Sequence, residues 1–300
     1  MTTIEAIVLG VIQGLFMFVP VSSTSHLALA QHAMGATGSA MPAPESAEMI
    51  LFDIVVHVGT LVSIVVVMRV ALWRLLVGIG NDLRELVVSG HPDRGGRHRA
   101  RGRRQGARLD YLRLAWLGMI TVAVTGVLGL GVRAVGTDVF AIPALIATAL
   151  IITGLILWWT DTAGPQWRGP RQLTLWVAVG IGAAQAAALL PGLSRSGLTI
   201  AMALALGLYR PLAAQYSFFV AIPTILAAMA VQTRDVLRDT AELTIGLPAY
   251  AVGFVVAAVV GAFALAVVLK LLYQARFRFF AIYVWLLAVI VLVVQPPPLA

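Results

Sequence analysis

Six apolar runs of membrane-crossing length constrain this chain more than any other feature. They cover roughly residues 50–69, 111–133, 139–159, 212–232, 244–270 and 279–295. A helix rising 1.5 Å per residue needs about 20 apolar residues to cross a hydrocarbon core of about 30 Å. Of the 300 residues, 60% are hydrophobic and 11% charged, with a mean hydropathy of +0.94. A soluble domain carries about 25% charged residues. The expected fold is therefore an all-α polytopic membrane protein, a single integral membrane domain over residues 1–300. The absence of cysteine excludes disulfides, a thiol nucleophile and thiolate metal sites. The start, MTTIEAIVLG, has no basic n-region before its apolar run and is read as mature sequence.

The formal net charge of +8 is concentrated in HPDRGGRHRARGRRQGAR, within a basic loop over residues 90–110. Between two spans, such a loop is the positive-inside signature of a cytoplasmic segment, not an arm for nucleic acid, which is not expected as a partner. Its expected contacts are anionic membrane lipids. With both termini outside, the remaining inside loops hold Arg168 and Arg171, then Lys270, Arg276 and Arg278. The outside loops hold Glu45 and Glu48, then Arg133 and Asp138, then a mixed set from Arg234 to Glu242, so the bias is one-sided. The segment over 72–88 sets Arg74, Asp82, Arg84 and Glu85 among leucines and valines and is expected to lie at the inner interface.

Two further apolar regions, 4–34 and 173–209, are cut by proline at Pro20 and at Pro191-Gly192, which leaves pieces of roughly 15 residues, short of a crossing. Each is expected to form a re-entrant helical hairpin, which must be buried in protein or line a polar cavity. The two resemble each other. Pro20 is followed at +3 and +5 by Ser23 and Ser25, Pro191 by Ser194 and Ser196, and a glutamine precedes each proline, Gln13 and Gln185. Because the first hairpin enters from outside and the second from inside, the pattern implies an inverted-topology repeat, with residues 1–133 as the first unit and 139–295 as the second. The small-residue spacings GVIQG and GFVVAAVVG read as helix-packing faces.

The helix that follows each break starts with unpaired N–H groups and a partial positive charge. Two such ends converging inside the bilayer would make an anion site. Ser22, Ser23, Thr24, Ser25, Ser194, Ser196 and the Gly197 backbone supply caps and donors, and Arg195 brings a planar cationic fork suited to phosphate or carboxylate. An arginine at that depth costs about 2.5–3.5 kcal/mol on insertion scales, so it calls for a partner, and few carboxylates are at hand. Gln13 and Gln185 read as polar edges of the same cavity, and His26 as either a packing or a catalytic group. His57 reads as structural, and Asp53 lies near the outer end of a span.

These residues carry a resemblance. EAIVLGVIQG with FVPVSSTSHL, then LLPGLSRSGLTIAMALALGLYR and YSFFVAIPTI, resemble the undecaprenyl pyrophosphate phosphatases of the bacitracin-resistance type, over nearly the whole chain. The resemblance implies a bacterial plasma-membrane enzyme that removes the terminal phosphate of the C55 lipid diphosphate at the outer face, with a divalent cation, Mg²⁺ or Ca²⁺, as cofactor. It also implies active-site roles for Ser23, His26 and Arg195. The family motif carries a glutamate four residues after the position of Gln13; here Met17 stands there, and Ser25 replaces a motif glycine. Methionine neither binds a hard cation nor moves a proton. A substitute carboxylate could come from Glu5, two turns before Gln13, or from Asp53; otherwise Ser23, His26 and Arg195 act without one. A non-hydrolytic polyprenyl-phosphate binder or flippase using the same anion site is the alternative. Monomer and homodimer both stay open.

Overall fold

The structure, a computed structural model, describes residues 1–36, 41–43, 46–89, 109–135, 143–164, 166–190, 192–238 and 245–294. The basic loop beyond Ser89 and Pro191 itself lie outside the described residues. Eleven α-helices are described: α1 (Thr3–Phe18), α2 (Ser23–Ala36), α3 (Ala47–Val67), α4 (Arg69–Ser89), α5 (Asp110–Val135), α6 (Pro143–Thr162), α7 (Leu175–Ala187), α8 (Arg195–Ala205), α9 (Arg210–Val236), α10 (Leu247–Tyr273) and α11 (Arg278–Val294). Five of them, α3, α5, α6, α9 and α10, are long and apolar enough to cross a bilayer. The sixth expected span is the 17-residue α11, about 25 Å long at 1.5 Å per residue. This is an all-α polytopic membrane protein.

Four short helices form the two broken elements. α1 and α2 have 16 and 14 residues, α7 and α8 have 13 and 11. At about 17–24 Å, each is shorter than the hydrocarbon core. Within each pair the two helices pack on one another. Each reversal passes through a left-handed residue, Ser22 at φ 68° and Gly192 at φ 89°. Only glycine serves at the second tip, where an added Cβ would lie 2.7 Å from the Ile146 carbonyl oxygen. Serine at the first tip carries a steric cost of roughly 1–2 kcal/mol.

Close approach of α1 to α10 fixes the first hairpin. A Cβ at Gly10 would lie 2.9 Å from the Gly253 carbonyl oxygen, and one at Gly14 would lie 2.8 Å from that of Ala257. The two small-residue faces marked in the sequence thus pack against each other. The second hairpin is held in the same manner by α5, where a Cβ at Gly182 would lie 2.7 Å from the Thr121 carbonyl oxygen. α3 packs on α9 and α10, and α6 on α11. The largest buried cluster includes Met17, Phe18, Ile181, Ile200, Phe218 and Leu265, drawn from both hairpins and the helices around them.

Two aspartates tie helix starts to neighbouring helices. Asp161 accepts from the Phe277 and Arg278 N–H groups at 2.8 and 2.9 Å, at the start of α11. Asp82 accepts from the Tyr111 and Leu112 N–H groups, both at 2.9 Å, and so caps α5. Trp73, Leu76, Leu83 and Val87 of α4 are exposed while Asp82 is buried, because the carboxylate is the dock for α5.

Candidate active site

The two tips meet. The Ser196 hydroxyl of α8 donates to the Phe18 carbonyl at the end of α1, 3.4 Å away. Arg195 Nη2 lies 3.5 Å from Met17 Sδ, and Gln13 Nε2 approaches the same sulfur at 3.7 Å. Between the hairpins opens a cavity of about 400 Å³. Gln13, Met17, Ser22 and Ser23 line it from the first hairpin, and Gln185, Ser194, Arg195 and Ser196 from the second. The juxtaposition expected from two distant stretches of sequence is therefore present.

Local bonds set the donors. The Ser194 hydroxyl caps α8 by accepting from the Gly197 N–H at 3.2 Å. The Thr153 hydroxyl of α6 donates to the Gly192 carbonyl at 3.0 Å and accepts from the Ser194 N–H at 3.4 Å, pinning the tip. Gly197 stays behind the cavity, where a Cβ would lie 3.2 Å from the Ser194 side chain. Arg195 has no carboxylate within ion-pair distance among the described residues. A sulfur is a weak acceptor, so the guanidinium keeps most of its five donors for whatever enters the cavity.

Several expected site residues sit elsewhere. Ser25 is buried and shares a hydrogen bond with Ser22 at 3.1 Å; the Thr24 side chain is outside the described residues. His26 does not line the cavity. Its Nδ1–H donates to the Ser22 carbonyl at 2.8 Å, which leaves Nε2 to accept from the Tyr283 hydroxyl, also at 2.8 Å. Its ring stacks on that of Phe16, a residue of the cavity wall, at 4.0 Å between centroids. Glu5 is remote, because its carboxylate accepts from the Thr2 N–H at 2.6 Å in a capping box at the start of α1. Spacing placed it on the Gln13 face, but a first-turn acid next to Thr2 is recruited as a cap.

Asp53 does line the cavity, and Gln31 Nε2 donates to its Oδ1 at 3.1 Å. His57, read from sequence as structural, lines the cavity too, with Nδ1–H donating to the Asp53 carbonyl at 2.7 Å. Thr125, Thr224 and Gln31 belong to the wall as well and were not singled out in the sequence. Threonines one helical turn apart on α5, Thr121 and Thr125, were the available signal. The wall thus carries one guanidinium, one carboxylate, an imidazole and a set of hydroxyls and amides. Such a set can neutralise and orient an anion and accept a proton from a hydroxyl.

Comparison with known proteins adds an independent finding. The family model for bacitracin resistance protein BacA matches residues 6–290. An undecaprenyl-diphosphatase of Alkalilimnicola ehrlichii is 52% identical over 94% of this chain and 93% of its own length. One of Halorhodospira halophila is 49% identical over 96% of each chain, and undecaprenyl-diphosphatase 2 of Stutzerimonas stutzeri is 33% identical over 98% of each. A match across both hairpins and every helix that holds them, with relatives this similar end to end, places the chain in the bacitracin resistance protein BacA family.

Proposed function

We propose that the protein is an undecaprenyl-diphosphate phosphatase that converts the C55 lipid diphosphate to the monophosphate in the recycling of a cell-wall lipid carrier. The single observation behind this reading is the shared cavity, where Ser23 of one hairpin and Arg195 of the other line one wall system. Relatives at about half identity bear the name of that activity, which favours hydrolysis over a non-hydrolytic binder or flippase. A diphosphate head fits a cavity of about 400 Å³, with the prenyl tail left in the membrane. The one-sided loop charges support termini on the outer side of the membrane, and the resemblance implies an outward-facing site in a bacterial plasma membrane. The packing of α1 on α10 and of α7 on α5, each hairpin against a helix of the other half, supports the inverted repeat.

In the proposed reaction Arg195 and Ser194, with the hairpin-tip N–H groups, hold the diphosphate. The Ser23 oxygen attacks the terminal phosphorus, forming a P–O bond as the bridging P–O bond breaks and the lipid monophosphate leaves. The serine proton passes to a cavity base and then to the leaving phosphate. His57, held through Nδ1–H at the Asp53 carbonyl, and Asp53 are the proton acceptors on the wall; His26, the base implied by the motif, would first have to leave Tyr283. Water then cleaves the phosphoserine, releasing inorganic phosphate and restoring the Ser23 hydroxyl. The divalent cation that the resemblance implies would have one wall carboxylate, Asp53, as its hard ligand. Among the described residues no group of three or more acidic, histidine or cysteine side chains forms a cage, and Mg²⁺ is commonly held by one or two carboxylates plus substrate phosphates. Asp53 would hold it, and bound there it would neutralise phosphate charge. Phosphate release from undecaprenyl diphosphate by the reconstituted protein tests the proposal. Ser23→Ala and Arg195→Ala should each lower the rate at least 100-fold; rates equal to the native chain would end it.

A further inference from the structure

Gln185 is 1% exposed and faces the cavity from α7. Its Nε2 donates to the Thr125 hydroxyl oxygen at 3.1 Å and to the Thr224 hydroxyl oxygen at 2.8 Å. Neither threonine can donate in return. The Thr125 hydroxyl hydrogen is committed to a backbone carbonyl, Thr121 at 2.8 Å or Gly182 at 3.1 Å, and that of Thr224 to the Val220 carbonyl at 2.8 Å. A hydroxyl has one hydrogen, so both can only accept from Gln185, and this fixes which way the amide points. Its carbonyl oxygen Oε1 is then left as a buried acceptor without a donor among the described residues. Leaving such a group unpaired destabilises the empty site, a loss that a ligand can recover.

We propose that Gln185 is a specificity-determining residue whose amide oxygen accepts a hydrogen bond from a P–OH group on the terminal phosphate, so that the site selects the monoprotonated diphosphate. The inference rests on the phosphatase reading above and adds the protonation state of its substrate. A carbonyl oxygen turned toward a bare phosphate oxygen is repulsive unless a proton lies between them. Phosphate monoesters lose their last proton near pH 6, so that proton is available in the working range. Among the described residues, the charged and titratable groups facing the cavity are Arg195, Asp53 and His57.

The test is a ligand-and-residue cycle at a fixed pH near 6, in chelator, by titration calorimetry on the full chain. The probes are farnesyl methylenediphosphonate, which keeps a terminal P–OH, and its counterpart with fluorine in place of that hydroxyl, which has equal charge but no donor. The native chain should bind the hydroxyl form about 3–10-fold tighter, as expected for one hydrogen bond. Gln185→Leu should bind both alike. General damage to the fold would weaken both ligands equally in the variant and leave the preference in place, so a Gln185→Leu chain that still discriminates overturns the proposal. Equal binding of the two ligands by the native chain overturns it too. Arg195→Met is the separate control: if it binds either ligand as the native chain does, the anion-cavity reading itself fails, whatever Gln185 does.

Discussion

Replacing Arg195 with methionine should weaken ligand binding and strengthen the empty fold at the same time. A buried guanidinium without a carboxylate partner destabilises the protein that carries it, and on insertion scales the burden is about 2.5–3.5 kcal/mol. Replacement of buried charges by apolar side chains of similar volume is neutral to stabilising by about 1–4 kcal/mol. Binding runs the other way. If a phosphate oxygen takes the place of Met17 Sδ, 3.5 Å from Nη2, the attraction of one charge pair at an effective dielectric of 20 is roughly 332/(20 × 3.5), or about 4.7 kcal/mol. Truncating one partner of a buried, hydrogen-bonded charge pair costs at least about 2 kcal/mol. At about 1.4 kcal/mol for each factor of ten, the expected rise in Kd spans roughly 30-fold to 2,000-fold. Titration calorimetry with a prenyl methylenediphosphonate gives the affinity, and thermal unfolding in the same detergent gives the stability. The reasoning predicts opposite signs in the two assays. A variant that binds as the native chain does, or that melts lower than it, refutes the account of Arg195 as an unpaired cation held for a phosphate.

Other perturbations have equally definite outcomes. Gly14→Ala places a Cβ 2.8 Å from the Ala257 carbonyl oxygen and should destabilise by about 1–3 kcal/mol through overpacking, whereas Gly35→Ala, with nothing within 4 Å, should melt no lower than the native chain. Asp82→Ala removes two N–H acceptors from the start of α5 and should cost about 1–2 kcal/mol, read as a lower melting temperature with phosphate release per folded molecule unchanged. Met17→Glu puts a carboxylate beside Arg195 and Gln13; phosphate release by the native chain should stay within about tenfold of the variant, and activity confined to the variant would mark the native site as a binder.

Much of this fold was legible because membrane insertion is a coarse filter. Apolar runs of about 20 residues fix spans, and Pro20 and Pro191-Gly192 fix where two of the apolar segments must turn. The pairing of Ser194 with Gly197 followed from the capping preference of serine. Side-chain direction at the tips was not legible. Ser22 adopts a left-handed conformation, His26 Nδ1–H bonds back to its carbonyl, and the imidazole ends on Tyr283, 257 positions away. No local pattern announces that partner. The same holds for Gln185, whose orientation is set by threonines of α5 and α9, helices that the sequence presents only as spans. Glu5 shows the opposite failure: helical periodicity put it on the right face, and a two-residue cap at the helix start claimed it.

A chain without cysteine permits a direct test of the shared cavity. Single-cysteine variants at Ser23 and at Ser196, one on each hairpin, are treated with a membrane-impermeant thiol reagent from one side of sealed vesicles, with and without the prenyl methylenediphosphonate. The account predicts that both cysteines are modified from the same side and that one ligand concentration slows both by the same factor. Protection of one alone, of neither, or modification from opposite faces would contradict it.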